Sequence, residues 1–373
     1  MRLIYIANIR LPTEKAHGIQ IMEMCAAFAD QGIEVNLVIP RRNNHITEDP
    51  FDYHDIRRIF SIRKLPCIDL VHFGKIGFLL ETFSFAISAT FFYLFRKDAI
   101  YYTRDELVAL FLRTIGKEVV WEGHTGQNNF MTRMLIRLRL PMVVITEALK
   151  KLYITLGNDP LKIMVASDGA DINRFNIKIT QEEARKMLKL PLDKKIVLYK
   201  GHLYEWKGAH TFARAATYLK EKGIICVFIG GTEKDIEAFK NEFGEEENIF
   251  ILGNKPRRET PVYQKAADIL VIPNSAKDDV SKLYTSPMKL FGYMASGVPI
   301  IASDLPSLRE ILNDSLVYFF RPDDATSLAE VVIKALNNYP EAKKKGDATL
   351  DLAGNYSWQK RAQNILNFIK VQL

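Results

Sequence analysis

Two lysine-bearing segments in the second half of the sequence have the composition of anion-binding loops. The first segment, residues 199–208, reads Tyr-Lys-Gly-His-Leu-Tyr-Glu-Trp-Lys-Gly and lies between a predicted strand and a predicted helix. Gly201 allows a tight turn, and Gly208 allows a ligand to come close to the helix start. Lys207 precedes that helix start and is therefore placed to neutralise a diphosphate. A solvated loop lysine is the simpler alternative for this residue taken alone.

The second segment, residues 285–304, predicts a loop, a helix, a tight turn and a buried strand. We expect Ser286 to cap this helix and Pro287 to occupy its first turn, where a missing N–H costs nothing. Gly297 is expected to end the helix. The free N–H groups of a capped helix start form an anion site, and Lys289 is close enough in sequence to reinforce it. The segment therefore predicts a binding site for the phosphates of a nucleotide.

Two further candidates lie in the first half of the sequence. Residues 121–125 read Trp-Glu-Gly-His-Thr and close a predicted strand, so Glu122 and His124 share one side of it. A lone histidine is more often a structural hydrogen-bonder than a catalyst, but ligands of parallel sheets bind at the carboxyl ends of strands. Gly18 stands at the start of a predicted helix, where a sugar or a phosphate would approach the backbone. A plain helix-start glycine is an equal alternative.

Composition describes an ordinary globular protein of two domains. The chain has 373 residues, of which 48% are hydrophobic and 25% are charged. The net charge of +7 permits a phosphate-bearing substrate or an anionic membrane surface. No zinc-finger or RNA-binding signature is present, so nucleic acid is not an expected partner. The His and Cys residues lack metal-ligand spacing, and the first residues resemble a strand rather than a signal peptide.

One internal stretch is apolar enough for a membrane span. Residues 76–95 carry one charged residue, Glu81, and are flanked by Lys75 and Arg96. The length suits a span, but serines and threonines dilute the stretch and a predicted strand follows at once. We therefore expect a buried or peripheral helix of an α/β domain, with a true span as the alternative. Residues 132–139 alternate basic and apolar types and would suit anionic lipid headgroups, although a basic face of a soluble domain is the commoner cause.

Strands and helices alternate through both halves, which predicts two parallel sheets covered on both faces. The predicted strands are 3–7, 35–40, 100–103, 118–121, 142–146, 163–166, 196–199, 226–229, 249–252, 269–272, 298–302 and 316–320. The predicted helices of the first half, besides the apolar one, are 17–31, 106–115, 128–138 and 147–156. Residues 167–175 are rich in turn formers and predict a linker. Thr180 and Glu183 then predict a capping box that opens a new helix.

Residues 286–299 also carry the pattern Ser-Pro-x-Lys-x-Phe-x-Tyr-Met-Ala-x-Gly-x-Pro. This pattern resembles the sugar-nucleotide segment of glycosyltransferase family 4 (group 1), the retaining enzymes with the GT-B fold. The resemblance implies an α/β protein with two Rossmann-like doubly wound domains that face one another across a cleft. It implies an acceptor domain at 1–170, a nucleotide-sugar donor domain at 171–355, and a C-terminal helix at 356–373 that packs on the first domain.

The resemblance implies a function as well. Such an enzyme moves a hexose from a nucleotide diphosphate sugar, its co-substrate, to a hydroxyl of a glycan or a lipid-linked glycan. The anomeric configuration is retained, and neither a metal nor a further cofactor is needed. We expect the enzyme to act in polysaccharide biosynthesis in the cytoplasm. We further expect peripheral contact with the inner face of the membrane.

The resemblance also assigns roles to individual residues. His124 would contact the transferred sugar, while Lys207 and His202 would neutralise the leaving diphosphate, so these three are the expected catalytic residues. Because the ordinary pKa of a histidine is about 6.5, the contact from His202 would depend on pH. The expected donor-binding and substrate-binding residues are Gly18, Glu122, Asn254, Tyr284, Thr285, Ser286, Pro287, Met288, Lys289 and Gly292.

One departure from the family pattern leaves other functions open. The family usually carries two Glu residues separated by seven positions, and here Tyr284 and Gly292 stand in their places. Loss of the second removes the carboxylate expected to bind the ribose hydroxyls. A sugar-nucleotide-binding protein with degraded transferase activity is therefore one alternative, and a GT-B sugar-nucleotide epimerase is another. A glycan phosphorylase is disfavoured, because no lysine context for pyridoxal phosphate is present.

Overall fold

The computed structural model describes residues 1–96 and 98–373, and within them the chain divides into two compact units. The first, here called the N unit, consists of Met1–Asp168 and Trp358–Leu373. The second, the C unit, is Gly169–Ser357. Each unit is built on one parallel β-sheet.

The N unit has a seven-stranded parallel sheet in the order β3-β2-β1-β4-β5-β6-β7. Its strands are β1 (Arg2–Ile6), β2 (Glu34–Pro40), β3 (Ser61–Leu65), β4 (Ile100–Thr103), β5 (Val119–Gly123), β6 (Met142–Val144) and β7 (Ile163–Val165). The inner strands are almost wholly apolar and buried, as expected for a sheet covered by helices on both faces. Six of the seven strands agree with the predicted ones.

The exception, β3, was missed because its sequence carries no apolar run. It lies at the edge of the sheet, and its residues Ser61, Arg63 and Lys64 are exposed. A strand with polar residues on its free side gives no strong periodic signal, and edge strands commonly carry charges that prevent pairing with other chains.

Helices connect the strands of the N unit. They are α1 (Ala16–Asp30), α2 (Pro50–His54), α3 (Gly74–Tyr93), α4 (Glu106–Thr114), α5 (Phe130–Arg137) and α6 (Glu147–Thr155). Apart from the short α2, which was not foreseen, they confirm the predicted helices to within about two residues. In α5 the apolar Leu135 and Ile136 are buried while Arg133 and Arg137 are exposed, which is the pattern of a helix that packs inward.

The apolar stretch forms α3, and only part of it is enclosed by the unit. Val71–Tyr93 is the one segment among the described residues that is long and apolar enough to cross a membrane. About 33% of its most apolar part is buried. Its buried residues include Glu81 and Phe85, so α3 packs on the N unit along one side, as predicted for a peripheral helix.

The C unit has a six-stranded parallel sheet in the order β10-β9-β8-β11-β12-β13. Its strands are β8 (Lys195–Lys200), β9 (Ile224–Ile229), β10 (Ile249–Gly253), β11 (Ile269–Ile272), β12 (Ile300–Ser303) and β13 (Tyr318–Phe320). All six confirm predicted strands. β12 begins two residues later than expected, because Pro299 has no N–H to donate to the ladder.

Ten helices accompany the sheet of the C unit. They are α7 (Ile172–Phe175), α8 (Gln181–Leu188), α9 (Ala209–Lys220), α10 (Glu233–Phe243), α11 (Thr260–Ala266), α12 (Asp279–Leu283), α13 (Met288–Ser296), α14 (Pro306–Arg309), α15 (Ala325–Asn337) and α16 (Tyr339–Ala353). The capping box of Thr180 and Glu183 is formed at the start of α8, as predicted. The predicted linker is partly helical, because α7 lies within it. The last helix, α17 (Trp358–Gln372), belongs to the N unit.

Candidate functional site

Three lysine side chains gather in the C unit at the carboxyl ends of its strands. Lys200 is the last residue of β8, Lys207 ends the 3-10 turn Glu205–Lys207 before α9, and Lys289 is in the first turn of α13. The ammonium groups of Lys200 and Lys207 are near enough to Lys289 to help burial lower its pKa well below the usual range. Burial also lowers the pKa of Lys207 to about 8. The pKa of Lys200 is likewise lowered to about 8, and burial is its main cause. We call this group the lysine cluster.

Anionic partners are absent from the lysine cluster within the described part of the chain. The Lys289 Nζ is buried and has no hydrogen-bond partner there. It lies 4.3 Å from the centre of the Tyr199 ring, and the Lys207 Nζ lies 4.6 Å from the centre of the Trp206 ring. An aromatic face compensates a cation only in part. The cluster therefore has positive charge that a ligand anion would satisfy.

A hydrogen bond joins the two lysine-bearing segments, and a close backbone approach fixes the shape of the first. The Lys200 N–H donates to the Tyr293 hydroxyl of α13 at 2.8 Å. Gly208 has φ +74°, and a Cβ at this position would lie 1.6 Å from the carbonyl oxygen of Pro273. Only glycine fits so close to a neighbouring backbone. The conformation of the Lys207 loop is therefore fixed by its glycine and by the strand beside it.

The start of α13 differs from the expected one. Pro287, with an extended ψ of 113°, occupies the N-cap position and no side chain caps the helix, so the prediction that Ser286 is the cap was wrong. The helix begins one residue later than expected, at Met288, because Pro287 keeps an extended conformation. Gly297 ends the helix at φ +63°, as predicted. Its first turn still presents backbone N–H groups beside Lys289.

Other residues assigned to donor binding are distributed over neighbouring loops of the C unit. Tyr284 follows α12, and the Thr285 hydroxyl donates to the Val280 carbonyl oxygen at 2.7 Å. Asn254 is an exposed residue in the loop after β10. The His202 ring stacks on the Tyr204 ring, with 4.9 Å between the centres and 2° between the planes. The binding roles of these residues remain predictions.

Gly292 lies in the middle of α13 and faces an aromatic ring. A Cβ at this position would lie 2.9 Å from the Cζ of Phe175, the last residue of α7. The ring therefore fills the space that a side chain at 292 would need. The glycine that departs from the pattern of the resembling family is thus accompanied by an aromatic ring beside it.

The N unit encloses a charged network around Glu122, on β5. Glu122 Oε1 accepts from Arg361 Nη2 at 2.6 Å and from Gln20 Nε2 at 3.2 Å. Glu122 Oε2 accepts from the Tyr5 hydroxyl at 3.2 Å. Burial opposes ionisation of this carboxyl, but Arg361, His124 and Arg104 together outweigh it and hold the pKa of Glu122 well below its usual range. Glu122 is therefore a carboxylate fully enclosed by partners.

His124 is brought to the same network. Its Nε2 lies 3.0 Å from Glu122 Oε1. Burial, together with the nearby Arg104 guanidinium, lowers the pKa of His124, so the imidazole is neutral at neutral pH. The structure thus brings Glu122 and His124 together, as their spacing on one side of the strand predicted. A neutral imidazole can donate or accept a hydrogen bond with a sugar hydroxyl.

Gly18 lies in the first turn of α1, where close packing of neighbouring side chains explains the glycine. A Cβ at this position would lie 2.3 Å from the Cγ2 of Thr13, so a side chain at 18 would displace the Thr13 side chain. This favours the structural role of Gly18 that the sequence left open, and its contact with a donor stays a prediction.

A cavity of about 540 Å³ lies in the N unit beside that loop. Its walls come from the loops after β1, β2 and β4 and from the start of α3, and include Arg10, Lys15, His17, Arg42, Val71, Phe78, Arg104 and Asp105. Burial raises the pKa of Asp105 to about 6 and lowers that of His17 to about 4. The Asp105 Oδ2 accepts from the Asn8 N–H at 2.7 Å. The cavity offers cations, hydrogen-bond partners and an apolar wall.

Sequence reasoning missed Lys200, Arg104, Asp105 and Arg361. Arg104 and Asp105 directly follow β4, so the rule that selected Glu122 and His124 would also have selected them. Arg361 had a weaker signal. It occupies the buried stripe of α17 with Trp358, Ala362 and Ile365, at helical spacing, and an arginine on such a stripe needs a carboxylate partner. Among the described residues, no three His, Cys, Asp or Glu side chains are grouped to ligate a metal.

Comparison with known proteins agrees with this architecture. Residues 180–350, nearly the whole C unit, match the family model "Glycosyl transferases group 1". The chain is 26% identical over 223 residues to a D-inositol 3-phosphate glycosyltransferase of Corynebacterium aurimucosum. The match covers 56% of this chain and 51% of that protein, so the chain spans about half the length of the curated relatives it matches.

Solved structures resemble the chain over its whole length. A sucrose-phosphate synthase from Thermosynechococcus elongatus has a TM-score of 0.81 at 15% identity and covers 100% of this chain and 99% of its own. HepE of Anabaena in complex with UDP and glucose has a TM-score of 0.77 at 13% identity and covers 99% of both chains. At such identities the likeness concerns the fold. The chain therefore has the GT-B fold, and its residues 180–350 match the model of the group 1 glycosyl transferases.

Proposed function

We propose that this protein is a retaining hexosyltransferase of family 4 that uses a nucleoside diphosphate sugar as donor. The observation that carries the proposal is the lysine cluster, in which the buried Lys289 Nζ has no hydrogen-bond partner within the described residues. Its neighbours Lys200, at the end of β8, and Lys207, just before α9, add positive charge beside it. A donor diphosphate would satisfy these charges together with the helix N–H groups.

The same cluster suits the chemistry of the transfer. The main barrier is departure of a nucleoside diphosphate, on which negative charge develops as the bond to the sugar breaks. Fixed cations and N–H groups aimed at that charge stabilise the transition state more than the ground state. His202, in the same loop as Lys207, would add a further contact to the diphosphate. No metal or further cofactor is part of the proposal.

We assign the acceptor to the N unit. Its cavity combines Arg10, Arg42 and Arg104 with the carboxyls of Asp105 and of Glu14, the partner of Arg10, which suits a polyhydroxylated acceptor. His124, held beside Glu122, would orient the sugar through the hydrogen bonds that a neutral imidazole can make. The acceptor class is a glycan or a lipid-linked glycan, and the expected location is the cytoplasm, with peripheral attachment at the inner membrane face.

A second candidate function rests on Gly292. Because the Phe175 ring fills the place of the usual carboxylate, the chain would bind a sugar nucleotide without fast transfer. The two candidates differ in turnover rather than in binding. The experiment uses a panel of uridine, guanosine and adenosine diphosphate sugars. Calorimetry measures the binding of each donor, and product analysis measures the transfer of its sugar.

Selective binding of one donor and transfer of its sugar with retained configuration are the expected results. Binding without transfer to any glycan or lipid-linked acceptor would favour the second candidate. An epimerised sugar nucleotide as the product, or no binding of any donor, would contradict the proposal.

A further inference from the structure

Helix α3 is attached to the N unit along a narrow stripe. Its buried residues include Gly77, Glu81, Phe85, Ala89 and Tyr93, which recur every four positions and therefore lie on one side of the helix. Glu81 Oε2 accepts from the Asn8 side-chain amide at 3.0 Å. A helix held by a buried carboxylate in this way stays with its domain rather than crossing a bilayer.

The rest of the helix surface is apolar and open. Six large residues, here called the apolar face, are between 46% and 75% exposed: Ile76, Leu79, Leu80, Phe83, Ile87 and Phe91. They recur at spacings of three and four residues and so form one continuous surface. Contiguous apolar patches of this kind are uncommon on proteins that meet only water, and they mark sites where a partner or a membrane binds.

Exposed cations border the apolar face at both ends, and Glu34 and Asp98 are exposed carboxylates near its second end. Lys75 near its start and Arg96 after its end are both exposed, and Arg63 of β3 lies beside that end. The Arg63 and Arg96 guanidinium carbons lie 5.1 and 4.8 Å from the centre of the Phe92 ring. The one carboxylate in residues 71–96, Glu81, is buried. An apolar surface between exposed cations complements an anionic headgroup layer over an acyl core.

A second copy of the chain fits this face less well. A two-fold pairing through α3 would bring the cations at its ends toward those of the other copy, and the helix exposes no carboxylate to neutralise them. Anionic lipid supplies the missing negative charge. We therefore propose that the apolar face docks on the surface of an anionic lipid bilayer, with α3 lying in the plane of the headgroups and Lys75, Arg63 and Arg96 on lipid phosphates.

This attachment would give the cavity of the N unit access to the bilayer. Val71, which precedes α3, and Phe78, in its second turn, both line that cavity. A substrate held in the membrane would therefore reach the cavity along its apolar wall. The docking assigns a surface to the peripheral attachment proposed above, but it does not depend on donor binding, since it concerns a surface outside the lysine cluster.

Flotation of the full chain with lipid vesicles tests the proposal. The vesicles contain either phosphatidylglycerol and phosphatidylcholine in equal parts or phosphatidylcholine alone. The triple variant Ile76→Ser, Leu79→Ser, Phe91→Ser removes three exposed side chains of the apolar face. A matched control, Leu161→Ser with Met187→Ser, removes exposed apolar side chains elsewhere, at 79% and 64% exposure. Thermal unfolding and UDP binding of all variants check that both units remain folded.

We expect wild type and the control to float with anionic vesicles, with at least tenfold less binding to neutral ones. The triple variant should bind anionic vesicles at least 30-fold more weakly, and Lys75→Gln with Arg96→Gln about tenfold more weakly. Equal flotation of wild type and the triple variant would overturn the proposal. The proposal would also be overturned if wild type did not bind vesicles but sedimented as a dimer, and the triple variant sedimented as a monomer. UDP binding reports separately on the proposed function and is expected to be the same in all these variants.

Discussion

Arg361 of the last helix donates from Nη2 to Glu122 Oε1 on β5 at 2.6 Å, and the two residues are 239 positions apart in sequence. Arg361 Nε also donates to the Ser167 carbonyl oxygen at 3.0 Å. Both side chains of the ion pair are nearly inaccessible, with 3% and 0% exposure. The end of the chain thus supplies the cation that allows a carboxylate to be ionised inside the N unit.

Removal of Arg361 should destabilise the N unit strongly. In Arg361→Met the Glu122 carboxylate would be buried without its main cation, which costs about 3–5 kcal/mol. Urea unfolding is followed by tryptophan fluorescence in a Trp206→Phe background. Only Trp121 and Trp358, both in the N unit, then report.

The matched control for Arg361 is an exposed ion pair in the same unit. Arg2 pairs with Glu34 at 2.9 Å, with both side chains about half exposed. Arg2→Met should change the free energy of unfolding far less than Arg361→Met does, because water screens the exposed pair. Adding Glu122→Gln to Arg361→Met should recover part of the loss. If Arg361→Met cost no more than Arg2→Met, the pair would not have the role assigned to it.

Asp105 gives the N unit a pH-dependent stability. Burial raises the pKa of its carboxyl to about 6 in the folded state, from an ordinary value of 3.8. Because folding raises this pKa, protonation favours the folded state. The carboxyl therefore adds stability below about pH 4, and that contribution is lost as the pH rises through about 6.

Asp105→Asn removes this titration. Relative to wild type, the variant should gain about 1–2 kcal/mol in free energy of unfolding between pH 4 and pH 7, less than the full shift implies because the residue is only half-buried. Urea unfolding at several pH values measures the difference. Asp351→Asn, at an exposed position of α16, is the control and should follow wild type at every pH. A constant offset between Asp105→Asn and wild type would contradict the assigned titration.

Much of this architecture was readable from the sequence, because the buried parallel strands are continuous apolar runs bounded by turn residues. What was missed has physical reasons. β3 is an edge strand with charged residues, and the partnership of Arg361 with Glu122 depends on tertiary contact that no local pattern encodes. The predicted cap of α13 was wrong because Pro287 was expected in the first turn, whereas it is the residue that precedes the helix. The sequence predicted the lysine cluster only in part: it indicated Lys207 and Lys289, but Lys200 has the pattern of an ordinary strand end.

Nucleotide binding by the lysine cluster should weaken as the pH rises. The pKa values of Lys200 and Lys207, about 8 each, mean that both lose charge between pH 7.5 and 9 in the free protein. An anion binds the charged forms, so the dissociation constant for UDP should rise by about tenfold over this range. Calorimetry in buffers of equal ionic strength measures the constant.

Substitution of Lys207 by arginine tests the origin of that pH dependence. Arginine stays charged up to about pH 12, so Lys207→Arg should show a smaller rise than wild type. Lys234→Arg, on the exposed surface of α10, is the control and should keep the wild-type dependence. If all three proteins showed the same slope, titration of the nucleotide itself would be its cause, and the cluster would not be the UDP site.

The Gly292 position tests whether the Phe175 ring has replaced a donor contact. In Gly292→Glu the new Cβ would meet the ring 2.9 Å away, so the side chain enters only if the ring moves. We expect UDP binding to improve little in Gly292→Glu alone. In Gly292→Glu with Phe175→Ala the space is open, and the carboxylate could accept from the ribose hydroxyls, with a gain of about 1.5 kcal/mol or about tenfold in affinity. The single variant Phe175→Ala is the control and should bind UDP as wild type does. Equal affinities in all four proteins would show that this helix position does not contact the ribose, and the donor would then have to be placed by the lysine cluster and the helix starts alone.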